Sequence, residues 1–235
     1  MKRNKKIVKR LLGLFLCLTI LLSYVPEVSL TVMAADDTKC VKSDCNGTYV
    51  NGFCDKCDGY QPAPEVYGVY EIANAGQLYW FADQMNRAPF RCQATLVNDI
   101  TINENVLNEK GELVNASQLR MWIPIGTNAT HSFEGSFDGN NYTISGLYCD
   151  MEYAGLFQNI VNSTICNLYI KDSYFNGAYA AAIAVTEVNS AVERCFSNAT
   201  VLASESAGGI VCQAWDSGIY QCGASGRNIL SGPAK

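Results

Sequence analysis

Four cysteines stand close together in the chain, Cys40, Cys45, Cys54 and Cys57, at the spacing C-x4-C-x8-C-x2-C. Two close thiolate pairs brought together by a turn make the tetrahedral ligand set of a structural zinc site, and Cys54-x-x-Cys57 is a good half of one. Gly47 and Gly52 supply turn residues between the pairs. The competing chemistry is oxidation to two disulfides, the commoner fate of four cysteines in so short a segment of an exported chain. The first pair is spaced more loosely than in a typical zinc ribbon and no histidine contributes, which tips the reading toward disulfides. With either chemistry the role is structural, since a segment of ~20 residues cannot bury a core without a staple. No thioredoxin-like βαβ pattern surrounds Cys54 and Cys57, so a redox pair is not expected.

Groups for catalysis are sparse. His131 is the only histidine, which leaves no Ser-His-Asp triad with alternatives and no His-rich metal centre. It stands in the stretch Thr130-His-Ser132 and reads as a solvated loop residue. Asp138-Gly-Asn-Asn141 clusters oxygen ligands that suit calcium, but Asp, Gly and Asn together are better explained as a turn that needs left-handed backbone. The remaining acids are scattered rather than paired. Aromatic residues (Trp122, Tyr148, Tyr153, Tyr169, Tyr174, Phe175, Tyr179, Trp215 and Tyr220) could stack on sugars, although some must be core. No catalytic residue is assigned, the ligand-binding residues are left unspecified, and the balance is against an enzyme. No cofactor is expected beyond a structural zinc at Cys40, Cys45, Cys54 and Cys57.

The elements that would position these groups begin with an export signal. Lys2, Arg3, Lys5, Lys6, Lys9 and Arg10 precede an apolar run from Leu11 to about Tyr24, and Ala34 and Ala35 follow. This is the pattern of a secretory signal peptide over residues 1–34, cleaved after Ala34. Its strictly apolar core is ~12 residues, against ~20 for a bilayer span. Cys17 follows Leu16 rather than the small residue of a lipobox. Cleavage removes six of the 17 basic residues and one of the 22 acids, which leaves 11 basic and 21 acidic residues and a net charge of −10. Such a surface repels nucleic acid and anionic lipid. No later stretch approaches membrane-spanning length, so a secreted or cell-surface location is expected.

Residues 35–60 then read as the cysteine-rich module and residues 61–69, with Gln61-Pro-Ala-Pro64, as a linker. A helix is predicted over 74–86. Asn74 can cap it, Gln77 completes a capping-box pattern, and Leu78, Phe81, Ala82 and Met85 make one apolar stripe. That stripe is expected to cover the open end of the β-rich sequence beginning at Ala94. There, Ile165, Val192 and Ile219 are spaced by 27 residues, as are Leu168, Cys195 and Cys222. Leu156, Ile183 and Ile210 form a second column with the same step. Ile144 and Leu147 extend the first column with a step of 21, as a turn deletion would. Two columns in one register indicate stacked solenoid coils. Cys195 and Cys222 should face inward, and Cys166 outward.

Trp122-x-Pro124-Ile-Gly126 and Phe133-Glu-Gly-Ser-Phe137-Asp-Gly139-Asn-Asn-Tyr-Thr-Ile144-Ser-Gly-Leu147-Tyr148 resemble the opening of β-helical repeat regions in Firmicutes surface proteins. Gly155-Leu-Phe157 and Gly208-Gly-Ile-Val211 resemble the GLUG-type motif of the same proteins. Tyr70-Glu-Ile72, Leu78-Tyr-Trp-Phe81-Ala82 with Asn86, and Leu96-Val-Asn-Asp-Ile100 resemble the segments that precede it there. The resemblance covers about residues 66–224. It implies a right-handed parallel β-helix over 70–235, found in large adhesins or upstream of the catalytic domain of IgA-peptidase-like metalloproteases. No functional residue carries over from it. After Cys222 no further complete coil is legible, and the chain reads as a truncated solenoid. The expected protein is all-β, with a capping helix and a cysteine-rich module. Its expected role is adhesion, ligand binding or spacing, with an extracellular glycan or a cell-surface protein as partner. The alternatives are a carbohydrate-active β-helix enzyme and a scaffold segment of a longer surface protease.

Overall fold

In the central coils of the chain the polypeptide turns through four short strands and returns to lie on the strand it started from. Thr164–Cys166 forms a first face, Tyr169–Lys171 a second, Tyr174–Ala181 a third and Ala184–Val188 a fourth, after which Ala191–Glu193 returns to the first. The computed structural model describes residues 38–88, 90–127 and 130–231, and the export signal read at residues 1–34 lies outside them. Six strands stack in parallel on the first face: Val69–Ile72, Cys92–Leu96, Gly135–Asp138, Thr164–Cys166, Ala191–Glu193 and Gly218–Tyr220. The chain is thus a parallel β-solenoid of about six coils, spaced ~4.8 Å apart.

Backbone pairing carries the 27-residue step. Ile165 lies opposite Val192 and Val192 opposite Ile219. Phe157, Ala184 and Val211 align in the same step, which places Leu156, Ile183 and Ile210 in one column just before them. Ile165, Leu168, Val192 and Cys195 are buried, so the inward column is apolar as its periodicity requires. Cys166, the next residue outward, is half-buried opposite Asp138 and Glu193.

The 21-residue step to Ile144 and Leu147 is not the one the chain uses. Phe137 lies opposite Ile165, and Ile144 lies opposite Ile170. Leu147 meets the following coil at Ser173, whose Oγ accepts from its N–H at 3.0 Å. No turn is deleted. Apolar residues three apart recur on consecutive faces within one coil, so local spacing fits more than one register, and only ladder hydrogen bonding selects among them. On the third face Tyr174 lies 26 residues from both Tyr148 and Thr200, and a bulge after Gly177 restores the 27-residue offset at Tyr179 and Ser206.

The corners repeat as strictly as the strands. Asn162, Asn189 and Asp216 enter the first face with φ of 49°, 46° and 49°, and Asn167, Arg194 and Gln221 leave it at 53°, 50° and 54°. Asn and Asp tolerate this left-handed backbone, which makes the tight corners possible. Between them runs a serine ladder: Ser163 N–H donates to Ser190 Oγ at 3.0 Å, and Ser190 N–H to Ser217 Oγ at 3.1 Å.

One helix, Ala75–Arg87, lies between the first two strands of the first face. Asn74 Oδ1 accepts from Gln77 N–H at 2.9 Å, and Gln77 Oε1 reaches back to Ala73 N–H at 2.8 Å. Leu78, Phe81, Ala82 and Met85 are buried, and the Phe81 ring centroid is 6.2 Å from those of Phe133 and Phe137. The helix therefore covers the interior at this end. Residues 61–69 pack rather than hang free: Glu65–Val66 pairs antiparallel with Val69–Ile72, and Ala63 is buried.

Among the described residues the interior holds one discordant group. Glu187 occupies the inward column between Ile160 and Ala214, is 0% exposed, and neither carboxylate oxygen has a hydrogen-bond partner among the described residues. Burial pushes its carboxyl up to about 7. The folded chain keeps this proton to about pH 7, whereas the unfolded chain releases it near 4.5. The site is therefore without penalty below pH 4.5, loses stability as pH rises to 7, and levels off beyond. The loss is on the order of 3 kcal/mol. Urea unfolding at pH 4.5 and pH 8 should show this loss in the parent chain and its absence in Glu187→Gln. An equal pH response in both chains would exclude Glu187 as its source.

Candidate functional site

The cysteine cluster is built around a minimal hairpin. Tyr49–Val50 and Phe53–Cys54 pair antiparallel across Asn51 and Gly52, both with positive φ, as an Asn-Gly hairpin turn needs. Asp55 holds its base, donating its N–H to Thr48 O at 3.0 Å and accepting from Thr48 N–H at 2.7 Å. The fold brings all four predicted cysteines together. Cys40 and Cys57 Sγ are 3.6 Å apart, Cys45 and Cys54 Sγ are 3.5 Å apart, and all four sulfurs lie within 4.8 Å of one another. A regular tetrahedron of sulfurs at ~2.3 Å from a zinc ion has edges of ~3.8 Å, so the set fits one divalent cation.

The surroundings of the sulfurs suit thiolates. Lys56 N–H points at Cys54 Sγ at 3.5 Å and Gly59 N–H at Cys57 Sγ at 3.3 Å. Lys42 and Gly47 N–H donate in the same way to Cys40 and Cys45, so every sulfur accepts from the amide two residues on. A Cβ on Gly47 would stand 2.5 Å from Cys54 Sγ, and one on Gly59 would crowd Cys57 and Cys40. These glycines keep the sulfur cradle clear. The Lys42 amide draws Cys40 down to about 7, while desolvation pushes Cys57 up to about 12. Four adjacent thiols cannot all ionise without a cation to take up the charge. A Lys42–Asp58 ion pair ties the outer loops together. Among the described residues no other group of three or more cysteine, histidine or acidic side chains meets at metal-binding distance.

Most of the other sequence candidates serve turns, core packing or stacking ladders. His131 is half-buried, and its Nδ1 lies 3.0 Å from Thr130 Oγ1. Asp138 Oδ1 accepts from Asn140 N–H at 2.8 Å and from Asn167 Nδ2 at 2.9 Å, which is turn chemistry. Trp122 and Phe175 are core, with Trp122 Nε1 donating to Gly155 O at 3.1 Å. Tyr148 stacks on Tyr174 and Tyr153 on Tyr179, with centroids 6.1 and 5.2 Å apart, as coil-to-coil ladders.

A lateral groove of about 720 Å³ runs across the coils where the first face turns into the second, and of its aromatic lining the sequence pointed to Tyr169 but not Phe196. Tyr169, Phe196 and Gly223 succeed one another along one wall. Phe196 is 50% exposed because Gly223 in the next coil has no side chain to cover its ring. Asn141, Asn167 and Arg194 also line it, and Arg194 Nε donates to Asn167 Oδ1 at 2.7 Å. The lining contains no carboxylate, imidazole or thiol. Aromatic, amide and guanidinium groups together suit binding of a ring with an apolar face and polar edges. The 27-residue step from Tyr169 to Phe196 was a readable signal for this wall.

Of the remaining cysteines, Cys222 is distinct. Cys195 N–H donates to its Sγ at 3.4 Å, and the Cys195 thiol draws Cys222 down to about 6 while being raised itself. Cys149 is buried and pushed up to about 12 by desolvation.

No family model matches the chain, and no curated protein matches it in sequence. Among solved structures, a putative immunoglobulin A1 protease from Bacteroides ovatus is similar over 68% of this chain and 57% of that one, with 17% identity and a TM-score of 0.48. The chain spans just over half the length of that protein, and so distant a likeness assigns no function.

Brief alkylation of the native chain at pH 7, followed by peptide mapping, should label Cys222 at least tenfold faster than Cys149. Equal labelling would show that the Cys195 hydrogen bond does not activate Cys222.

Proposed function

We propose that this chain is a non-catalytic β-solenoid module of a secreted or cell-surface protein, which holds a ligand in its lateral groove and serves as an adhesion or spacing element. The observation that carries this reading is the groove itself. It offers a half-exposed Phe196 ring beside Arg194, Asn167 and Asn141, and the nearby carboxylates of Glu193 and Asp138 are engaged by Arg194 and Asn167. The basic and apolar N-terminal pattern supports export, and the acidic balance of the rest supports an extracellular glycan or cell-surface protein as partner over nucleic acid. Among the described residues no helix is long and apolar enough to cross a membrane. The Phe133–Tyr148 and Gly155–Phe157 motifs are in keeping with GLUG-type repeat proteins of Firmicutes surfaces. Cys40, Cys45, Cys54 and Cys57 hold one structural zinc in this reading. A scaffold role within a longer surface protein is the second reading. Coils that stack on one another in parallel are compatible with it.

The test is a screen of the chain from residue 35 onward against immobilised glycans and cell-surface proteins. Saturable binding should weaken about tenfold or more in Phe196→Ala, while thermal unfolding stays unchanged. Steady release of product from a glycan, or binding indifferent to Phe196, would overturn the reading.

A further inference from the structure

Resting on the structural-zinc reading of the cysteine cluster, we infer that metal occupancy at Cys40, Cys45, Cys54 and Cys57 locks the capping helix onto the end of the solenoid, because the hairpin that ends in Cys54 is also the cap of that helix. A helix begins with amide donors that have no partner within it. Asn74 can satisfy only one of them with its side chain, and it takes Gln77. The two amides before it go to the cysteine hairpin: Ala75 N–H donates to Asn51 Oδ1 at 3.3 Å, and Gly76 N–H to Asn51 O at 2.9 Å. Asn51 Nδ2 continues to Thr101 O at 2.9 Å, which ties helix, hairpin and second face at one residue.

The approach is close enough to require glycine on both sides. A Cβ on Gly76 would overlap the backbone of Gly52, and one on Gly52 would strike the Asn74 side chain. Next to this contact Phe53 packs edge-on against Tyr79 of the helix, with centroids 5.3 Å apart, and the Arg120 guanidinium lies 3.9 Å from the Phe53 ring centroid. The hairpin has two residues in each strand and does not stand alone. Its rigidity comes from the sulfur cluster at its base. On binding, each thiol releases its proton to solvent and each sulfur gives an electron pair to the divalent cation, with no change of oxidation state. Removing the cation leaves four crowded thiols, a loosened hairpin, and Ala75 and Gly76 amides without their acceptors.

The test uses the chain from residue 35 onward, kept reduced and loaded with Zn²⁺ or Co²⁺, then treated with a chelator. One metal per chain and a thiolate-to-cobalt charge-transfer band are expected. Chelation should speed hydrogen exchange at Ala75 and Gly76 by about tenfold, with little change at interior strands such as Ile165 and Val192. Gly76→Ala improves the helix in isolation but prevents docking. It should still bind one metal, with first-turn exchange fast whether loaded or chelated. Cys54→Ser should lose the metal and exchange fast throughout. A chain that takes up no metal and loses the mass of four hydrogens to two disulfides would overturn both the zinc reading and the lock. A chain that binds one metal but whose first-turn exchange ignores chelation would overturn the lock alone.

Discussion

Every feature of this chain depends on one constraint: an inward side chain must rest on an inward side chain of the next coil. Because strand side chains alternate, a slip of one residue would turn the buried column to solvent. The 27-residue step holds Ile165 on Val192 and Val192 on Ile219, and the departures from it are compensated locally. The third face runs at 26 and recovers by a bulge after Gly177. The left-handed corners and the serine ladder fix where each strand starts, so that pairing and packing agree. Glu187 is the exception, an acid in a column that Phe133 and Ile160 lead into, and its proton is the cost of keeping it there.

A solenoid coil buries its faces only against neighbours, so its ends need separate treatment. At the N-terminal end three layers meet. Glu65–Val66 pairs along the first strand, the helix lays Leu78, Phe81 and Met85 over the interior, and the cysteine hairpin supplies the helix with its remaining acceptors. Each layer is too small to be stable alone, which is why sulfur chemistry is placed at the outermost one. In the last described coil Ile219 and Leu230 are exposed. The same coil-to-coil repetition that builds the core also builds the groove. Residues one step apart, such as Tyr169, Phe196 and Gly223, line up on the outside as strictly as on the inside, and the shrinkage from ring to glycine leaves the groove open.

The sequence by itself determined whatever is local or periodic. The 27-residue step, the apolar columns, the helix with its Asn74 cap and the clustering of four cysteines are all patterns along the chain, and helix and strand periodicities translate directly into faces. Tertiary structure decided whatever depends on pairing between distant residues. It placed Phe137 rather than Ile144 opposite Ile165, because apolar spacing alone fits several registers and hydrogen-bond ladders admit one. It set Phe196 beside Arg194 as an open groove, since an aromatic residue in a sequence does not say whether its neighbour coil covers it. It left Glu187 without a hydrogen-bond partner among the described residues, which no pattern of neighbours along the chain announces. It also joined Asn51 to a helix that begins 24 residues later, a contact made possible only by two glycines meeting in space.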